Sequence, residues 1–273
     1  MSLTIQSNIN SLKANKELNK QEAALKKSFE KLSTGKEINK ASDNPAALAI
    51  AMELLTDADT STVAARNISD AVSVTNIVDS SLETASDITL RMRELATQAS
   101  NGTYSNEQRE ALNDEFQSLS AELDRIAQTT EFNDQQLLST DGSISLQIGT
   151  DGDVSSQISL PLKAVSSSSL GLGSTDISTQ ANATQALSSI ESASETLTDA
   201  RSDVNVVANQ LSFTFESLQV SEQNKRDAAS RILDADIATE SANLVTNQIR
   251  EKAALAVKAQ ANIMPELALK LLS

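Results

Sequence analysis

The sequence predicts a mainly α-helical chain: a long antiparallel coiled-coil rod with a small β-hairpin module and paired N- and C-terminal helices. Three observations predict it. Across 183–220, Ile190, Leu197, Val204, Leu211 and Leu218 recur every seven residues, with Ala186, Ala193, Ala200, Val207 and Thr214 interleaved. That is an a/d seam sustained over about five heptads. Across about 46–100 a second seam holds Ala64, Ala71, Val78, Ala85, Met92 and Ala99, flanked by Ile68, Val74, Leu82, Ile88 and Leu95. Finally, 273 residues contain only seven Gly and three Pro, so breakers are scarce and long elements are favoured.

From the start, Ile5, Ile9 and Leu12 lead into a stripe of Leu18, Leu25, Phe29 and Leu32. The second helix follows, and small seam residues let a partner helix approach closely. Roughly 40 helical residues span about 60 Å. NGT at 101–103 ends it, with Gly102 suited to a left-handed cap. Ser105 and Gln108 have capping-box spacing and open a third helix, in which Leu112, Phe116, Leu119, Leu123 and Ile126 share a face. The period then changes. Ile144, Leu146 and Ile148, then Val154, Ile158 and Leu160, alternate with polar residues around a TDGD turn, which predicts a hairpin at about 141–162. SSSSLGLGSTD (166–176) reads as a loop. After the heptad helix, Ala254, Val257, Ala261, Met264, Ala268 and Leu271 step by three and four, and Pro265 is expected to kink or restart that helix. The expected organisation is terminal helices at 1–40 and 230–273 around a long-helix region at 41–229, with no outer variable domain.

Composition excludes much chemistry. There is no Cys and no His, so disulfides, thiolate metal sites and the commonest neutral-pH base are absent. Residues 1–40 carry eight Lys and four Glu, a net +4, and residues 245–273 carry four basic and two acidic residues, a net +2. Against a total of −15, the middle holds −21, which argues against a nucleic-acid surface. No window approaches 18 consecutive apolar residues, and the start has no apolar h-region, so neither membrane insertion nor a Sec signal is expected.

Candidate motifs fail on spacing. LSTGKE (32–37) has Glu30 where a phosphate loop needs its first Gly, and Glu37 where it needs Ser or Thr. Counting a calcium loop from Asp151 puts Ser156 at the Gly position and Leu162 at the Glu position. Asp234 and Asp236, two apart, do not face each other on a helix and read as a cap and a solvated face. Asn67, Asn101 and Asn182 each open a short Asn-x-Ser/Thr pattern of low specificity. No catalytic constellation survives, no metal or cofactor is implied, and the chain reads as not an enzyme. The apolar tail AVKAQANIMPELALKLLS is left with little of its own chain to cover it. Its stripe, with Leu18, Leu25, Phe29 and Leu32, reads as an assembly surface completed by neighbouring copies.

Motifs from several separated stretches agree on a family. LRMRELATQASNGTYS (90–105), the opening NINSLKANKELNKQEAALKKSFEKLSTGKEINKASDNPAALAIA and the closing SRILDADIATESANLVTNQIREKAALAVKAQANIMPELALKLLS resemble bacterial flagellins, in the family's order and over nearly the whole chain. The resemblance implies a minimal two-shell member: an extracellular structural subunit of a flagellar filament. It also implies self-assembly into a helical polymer, alone or with other flagellins, after export through the flagellar type III apparatus. Implied partners are a secretion chaperone, the filament cap and hook-junction proteins, and a vertebrate innate flagellin receptor. Arg91, Leu95 and Glu115 match that receptor's usual contacts, and Thr89 stands where many recognised members carry Leu. Ser42-Asp43-Asn44-Pro45 replaces the family's acidic pair and Ser273 a common terminal Arg. Other readings are a flagellin-like hook–filament junction protein and a secreted coiled-coil binding or effector protein.

Overall fold

The computed structural model describes residues 8–149 and 152–270, with side chains in the last helix described to residue 264. Ile5, Leu271 and half of the TDGD turn therefore lie outside the described residues, as does the Ala268 side chain. The chain divides into two compact units, Met1–Thr56 with Asn224–Ser273 and Asp57–Gln223. The elements are α1 (Ile9–Thr34), α2 (Pro45–Ala99), α3 (Asn106–Thr129), β1 (Glu131–Phe132), β2 (Gln135–Gln136), β3 (Gly142–Gln147), β4 (Gln157–Leu162), α4 (Gln180–Leu233) and α5 (Ile237–Lys270). The mainly α class with a small antiparallel module is as the sequence predicts.

In the first unit α1 and α5 pair antiparallel: Asn8 Nδ2 donates to the Ala261 carbonyl (2.8 Å) near one end, and Asn247 donates to Ser28 (3.3 Å) towards the other. Asn8 caps α1, its Oδ1 accepting from Ser11 N (3.0 Å). Gly35 stops it at φ +71°, where a side chain would be strained, and returns its N–H to the Lys31 carbonyl (2.8 Å). Main-chain bonds from Glu37 N to Leu233 O (2.6 Å) and Ala235 N to Gly35 O (2.9 Å) stitch the two inner helix ends together, over a small core of Ile38, Ala51 and Leu233. Asn44 caps α2 through Ala47 N (3.1 Å), and Pro45 takes the first helical position, where no N–H is needed.

In the second unit the two predicted seams form one core. Ile68, Ala71, Val78, Leu82, Met92 and Leu95 of α2 are buried with Ala186, Ile190, Leu197, Val204 and Leu211 of α4, and Phe116 and Leu123 of α3 join them. The order is antiparallel: Arg201 of α4 reaches Asp79 (3.2 Å), and Gly102, just past α2, lies beside Gln180 at the start of α4. Thr75 and Thr89 occupy buried seam positions because each hydroxyl donates to its own helix, to Val72 O and Ala85 O (2.8 Å each). The predicted capping box is present: Gln108 N donates to Ser105 Oγ (3.3 Å) and Ser105 N to Gln108 Oε1 (2.9 Å). The predicted hairpin pairs β3 with β4, Ile144 opposite Leu160 and Leu146 opposite Ile158.

Four features depart from the sequence reading. Gly102 does not adopt the left-handed conformation, since the glycines with positive φ among the described residues are Gly35 and Gly171. Val154 lies outside the strands, in a 3-10 turn over Val154–Ser156, and is 86% exposed. A second hairpin, β1–β2, turns at Asn133 and Asp134, both with positive φ (51° and 63°), residue types that tolerate that region. The 166–176 stretch is the loop the sequence predicts, and it is firmly docked, because Ser167 N and Oγ donate to Asp124 (2.8 and 2.9 Å) and Leu170 and Leu172 are buried. Pro265 does not restart a helix: α5 runs as one element to Lys270, and the Ala261 carbonyl, four residues before the proline, accepts from Asn8 instead.

Candidate assembly surface

The α1–α5 pair has a mixed polar and apolar seam and leaves a set of large apolar side chains exposed on its outer side. On α1 the residues turned inward are Ser11, Ala14, Leu18, Gln21, Leu25, Ser28 and Leu32, and on α5 they are Glu240, Leu244, Asn247, Glu251, Ala254, Lys258 and Ala261, all buried or half-buried. Each row steps by three and four, the spacing of a two-helix seam. Half of its members are polar. Glu240 lies against Ser28 and 4.0 Å from Lys31, and the hydrogen bond from Ser28 holds its carboxyl below the usual range. Meanwhile Leu12 (64% exposed), Ile249 (63%) and Val257 (60%) stand in solvent, joined by Ile9, Phe29, Val245, Leu255, Ile263 and Met264. A helix normally turns its apolar stripe to its partner; Leu18, Leu25, Leu32 and Leu244 do so here, and a second apolar set is left outside.

The residues that the sequence grouped as one stripe divide between the two faces. Leu18 and Ala261 are buried in the intrachain seam, Leu25, Leu32 and Ala254 are half-buried, and Phe29, Val257 and Met264 point outward. Sequence reasoning missed Ile249 and Val245 among the outward residues. Their signal was present as a second 3–4 series, offset from the Ala series and interrupted by charge. A further outward stripe, Val206, Phe213 and Val220, recurs every seven residues along α4 beside an open groove of about 580 Å³.

Arg91 and Glu115 meet on the surface of the second unit. The Arg91 guanidinium donates to Glu115 (Nε 3.0 Å, Nη2 2.8 Å) and to Glu94 (Nη1 2.8 Å), and these bonds, Glu115's foremost, raise its pKa. Leu95 and Thr89 are buried, Leu95 in the α2–α4 core, while Leu90 is exposed. Arg109, which sequence reasoning also missed, is buried and donates to the Ala99 (2.8 Å) and Asn101 (3.0 Å) carbonyls at the end of α2.

Asp236 caps α5: it accepts from Thr239 Oγ1 (2.7 Å), Thr239 N (3.2 Å) and Ala238 N (3.0 Å), which holds its pKa below 3.8. A carboxyl depressed by folding contributes stability above its ordinary pKa and loses it as pH falls through the folded value. Asp236→Asn keeps the cap but removes the titration. Helicity followed by circular dichroism is expected to fall less steeply on acidification below pH 3.8 in this variant than in the parent. An unchanged acid limb would show that Asp236 contributes nothing to it.

Charge separates between the units. The first holds 15 basic and 12 acidic residues, +3, and the second holds 7 basic and 25 acidic residues, −18. Among the described residues, no group of acids is placed to hold a metal and no helix is long and apolar enough to cross a membrane.

Comparison with known proteins points one way. The family described as the bacterial flagellin N-terminal helical region matches residues 5–143, and the bacterial flagellin C-terminal helical region matches residues 187–272. A protein named Flagellin from Halalkalibacterium halodurans is 34% identical over 247 residues, covering 90% of this chain and 91% of that one. The flagellar filament 31.3 kDa core protein of Treponema maltophilum is 30% identical over 285 residues, covering 99% of this chain and 100% of its own. In fold alone, a structure described as a flagellar hook-associated protein from Vibrio parahaemolyticus superposes with a TM-score of 0.58 at 12% identity, over 70% of this chain and 100% of that one.

Proposed function

The chain belongs to the bacterial flagellin family, and on that premise we propose that it polymerises through the outward face of its α1–α5 pair to build the flagellar filament. It is a structural subunit and not an enzyme. The observation that carries the proposal is the apolar set left uncovered: Leu12, Phe29, Val245, Ile249, Leu255 and Val257 face solvent, while the seam between α1 and α5 is filled by Leu18, Leu25, Leu32 and Leu244 together with Ser, Gln, Asn and Glu. Fully burying one such side chain is worth about 1.5–3 kcal/mol. Repeated along both helices, that gain adds to the burial already made within the α1–α5 seam against the roughly 1–2 kcal/mol per residue spent in ordering the backbone of terminal segments. Contacts between unlike surfaces of successive copies do not close, and they generate a helical filament. A net +3 suits the first unit to burial among copies, whereas −18 on the second unit is better left in water.

The flagellar filament is a surface appendage, and the working site of this subunit is extracellular. A secretion chaperone that covers the apolar face of α5 before export fits the exposure of Val245, Ile249 and Val257. Filament-cap and hook-junction proteins are the partners at the two ends of the polymer. The Arg91–Glu115 surface is the part of the second unit that a vertebrate innate flagellin receptor would read.

Removal of residues 245–273 tests the reading. The purified parent chain is expected to form long filaments by electron microscopy, and the truncated chain none. Filaments of ordinary length from the truncated chain would overturn the proposal. A parent chain that yields only short rings or stubs would assign it to the hook–filament junction instead.

A further inference from the structure

We propose that Asn8 holds the outer end of the α1–α5 pair in register by supplying, to the Ala261 carbonyl, the hydrogen bond that Pro265 cannot give. An α-helix closes each carbonyl with the N–H four residues on, and for Ala261 that residue is Pro265, which has no N–H. Pro265 is the sole proline of α5, so no other carbonyl inside this helix is deprived in the same way. Asn8 reaches it across the pair: Nδ2 donates to Ala261 O (2.8 Å) while Oδ1 accepts from Ser11 N (3.0 Å). One side chain thereby caps α1 and completes α5.

The inner end of the pair is held by the main-chain bonds from Glu37 N to Leu233 O (2.6 Å) and from Ala235 N to Gly35 O (2.9 Å). At the outer end α5 contributes Ala254 and Ala261 to the seam, and side chains this small hold position weakly. Polar links farther along are looser, with Asn247 3.3 Å from Ser28 and Lys31 4.0 Å from Glu240. A slip that brings Ala254 opposite Asn8 offers its amide a carbonyl already bonded to Lys258 N–H, and it leaves Ala261 O without a donor. Only the observed register pairs the spare donor with the spare acceptor. Because α1 and α5 carry the outward face that the filament reading uses, a slipped pair would also break up that face, and the importance of this residue rests on that reading.

The chain has no cysteine, so introduced pairs report register directly. Ser11→Cys is combined with Asn262→Cys, whose native side chains hydrogen-bond at 2.7 Å, or with Leu255→Cys, one heptad away. The full chain is oxidised as monomer and after assembly, and the yields of the two disulfides are compared. The 11–262 bond is expected to dominate. Asn8→Ser, which keeps the cap but cannot reach Ala261, and Pro265→Ala, which restores the helical N–H, are each expected to lower that preference about fivefold, the worth of one net hydrogen bond. The double variant is expected to match either single one. Additive losses, no loss with Asn8→Ser, or no 11–262 preference in the otherwise parental chain would each overturn the role. Failure to polymerise with the 11–262 preference intact would count against the filament reading alone.

Discussion

Phe116→Ala is expected to destabilise the second unit by about 3–5 kcal/mol, read as a lowered urea midpoint of the purified chain. Phe116 is fully buried and heads the largest buried side chains of a chain with only five Phe. Its loss leaves a cavity in a core built largely from Ala, Val, Leu and Ile on long helices. Collapse around the void is limited, because moving one seam residue moves a whole stiff helix, and the short Ala side chains cannot reach in. Phe213→Ala is the control: Phe213 is exposed on α4 and is expected to change the midpoint by less than about 0.5 kcal/mol. Equal effects at the two positions would show that the packing described here does not carry the stability of the unit.

Arg109→Ala is expected to cost about 3 kcal/mol, with Arg109→Lys recovering little of it. The last turn of any helix leaves carbonyls without intrahelical donors. Here Arg109 supplies two of them, donating from Nε to Ala99 O and from Nη2 to Asn101 O, while Nη1 binds Asn106 Oδ1 (3.2 Å). The guanidinium also places positive charge at the negative end of the α2 dipole. An ammonium on a flexible stem cannot span three acceptors in one plane. Amide exchange across 100–105 is expected to accelerate in both variants, and a Lys variant as stable as the parent would contradict the assignment of Arg109 as the clasp of this turn.

Helix positions and the unit-2 core were legible because two signals of different length agreed. The a/d series of α4 and its Ala-rich counterpart on α2 persist long enough that no alternative period fits, and Ser105 with Gln108 marked a helix start by local chemistry alone. The β1–β2 hairpin was not legible, since two-residue strands carry no period and only Asn133-Asp134 hints at the turn. Arg109 was not legible because its acceptors are main-chain carbonyls, which the sequence does not display. The assembly surface was half legible. An apolar tail needing cover could be read directly, but periodicity does not say which of two overlapping stripes faces the intrachain partner. In α5 the small residues won that place: Ala254 and Ala261 let α1 approach, and the larger Val245, Ile249 and Val257 were left outside. That α5 continues through Pro265 was not legible for a related reason, because the donor that bonds the Ala261 carbonyl lies at the opposite end of the chain.

The account turns on whether the outward face of α5 is covered by other copies, and carboxylates placed on that face measure it. In Ile249→Asp/Val257→Asp, side chains 63% and 60% exposed in the single chain are replaced without touching the seam. Urea unfolding of the second unit is expected to be unchanged. The concentration needed for filaments, read by sedimentation and electron microscopy, is expected to rise at least about a hundredfold, from two lost apolar burials and two buried charges. Filaments appearing at the parent concentration would show that this face remains in water, and would contradict the account.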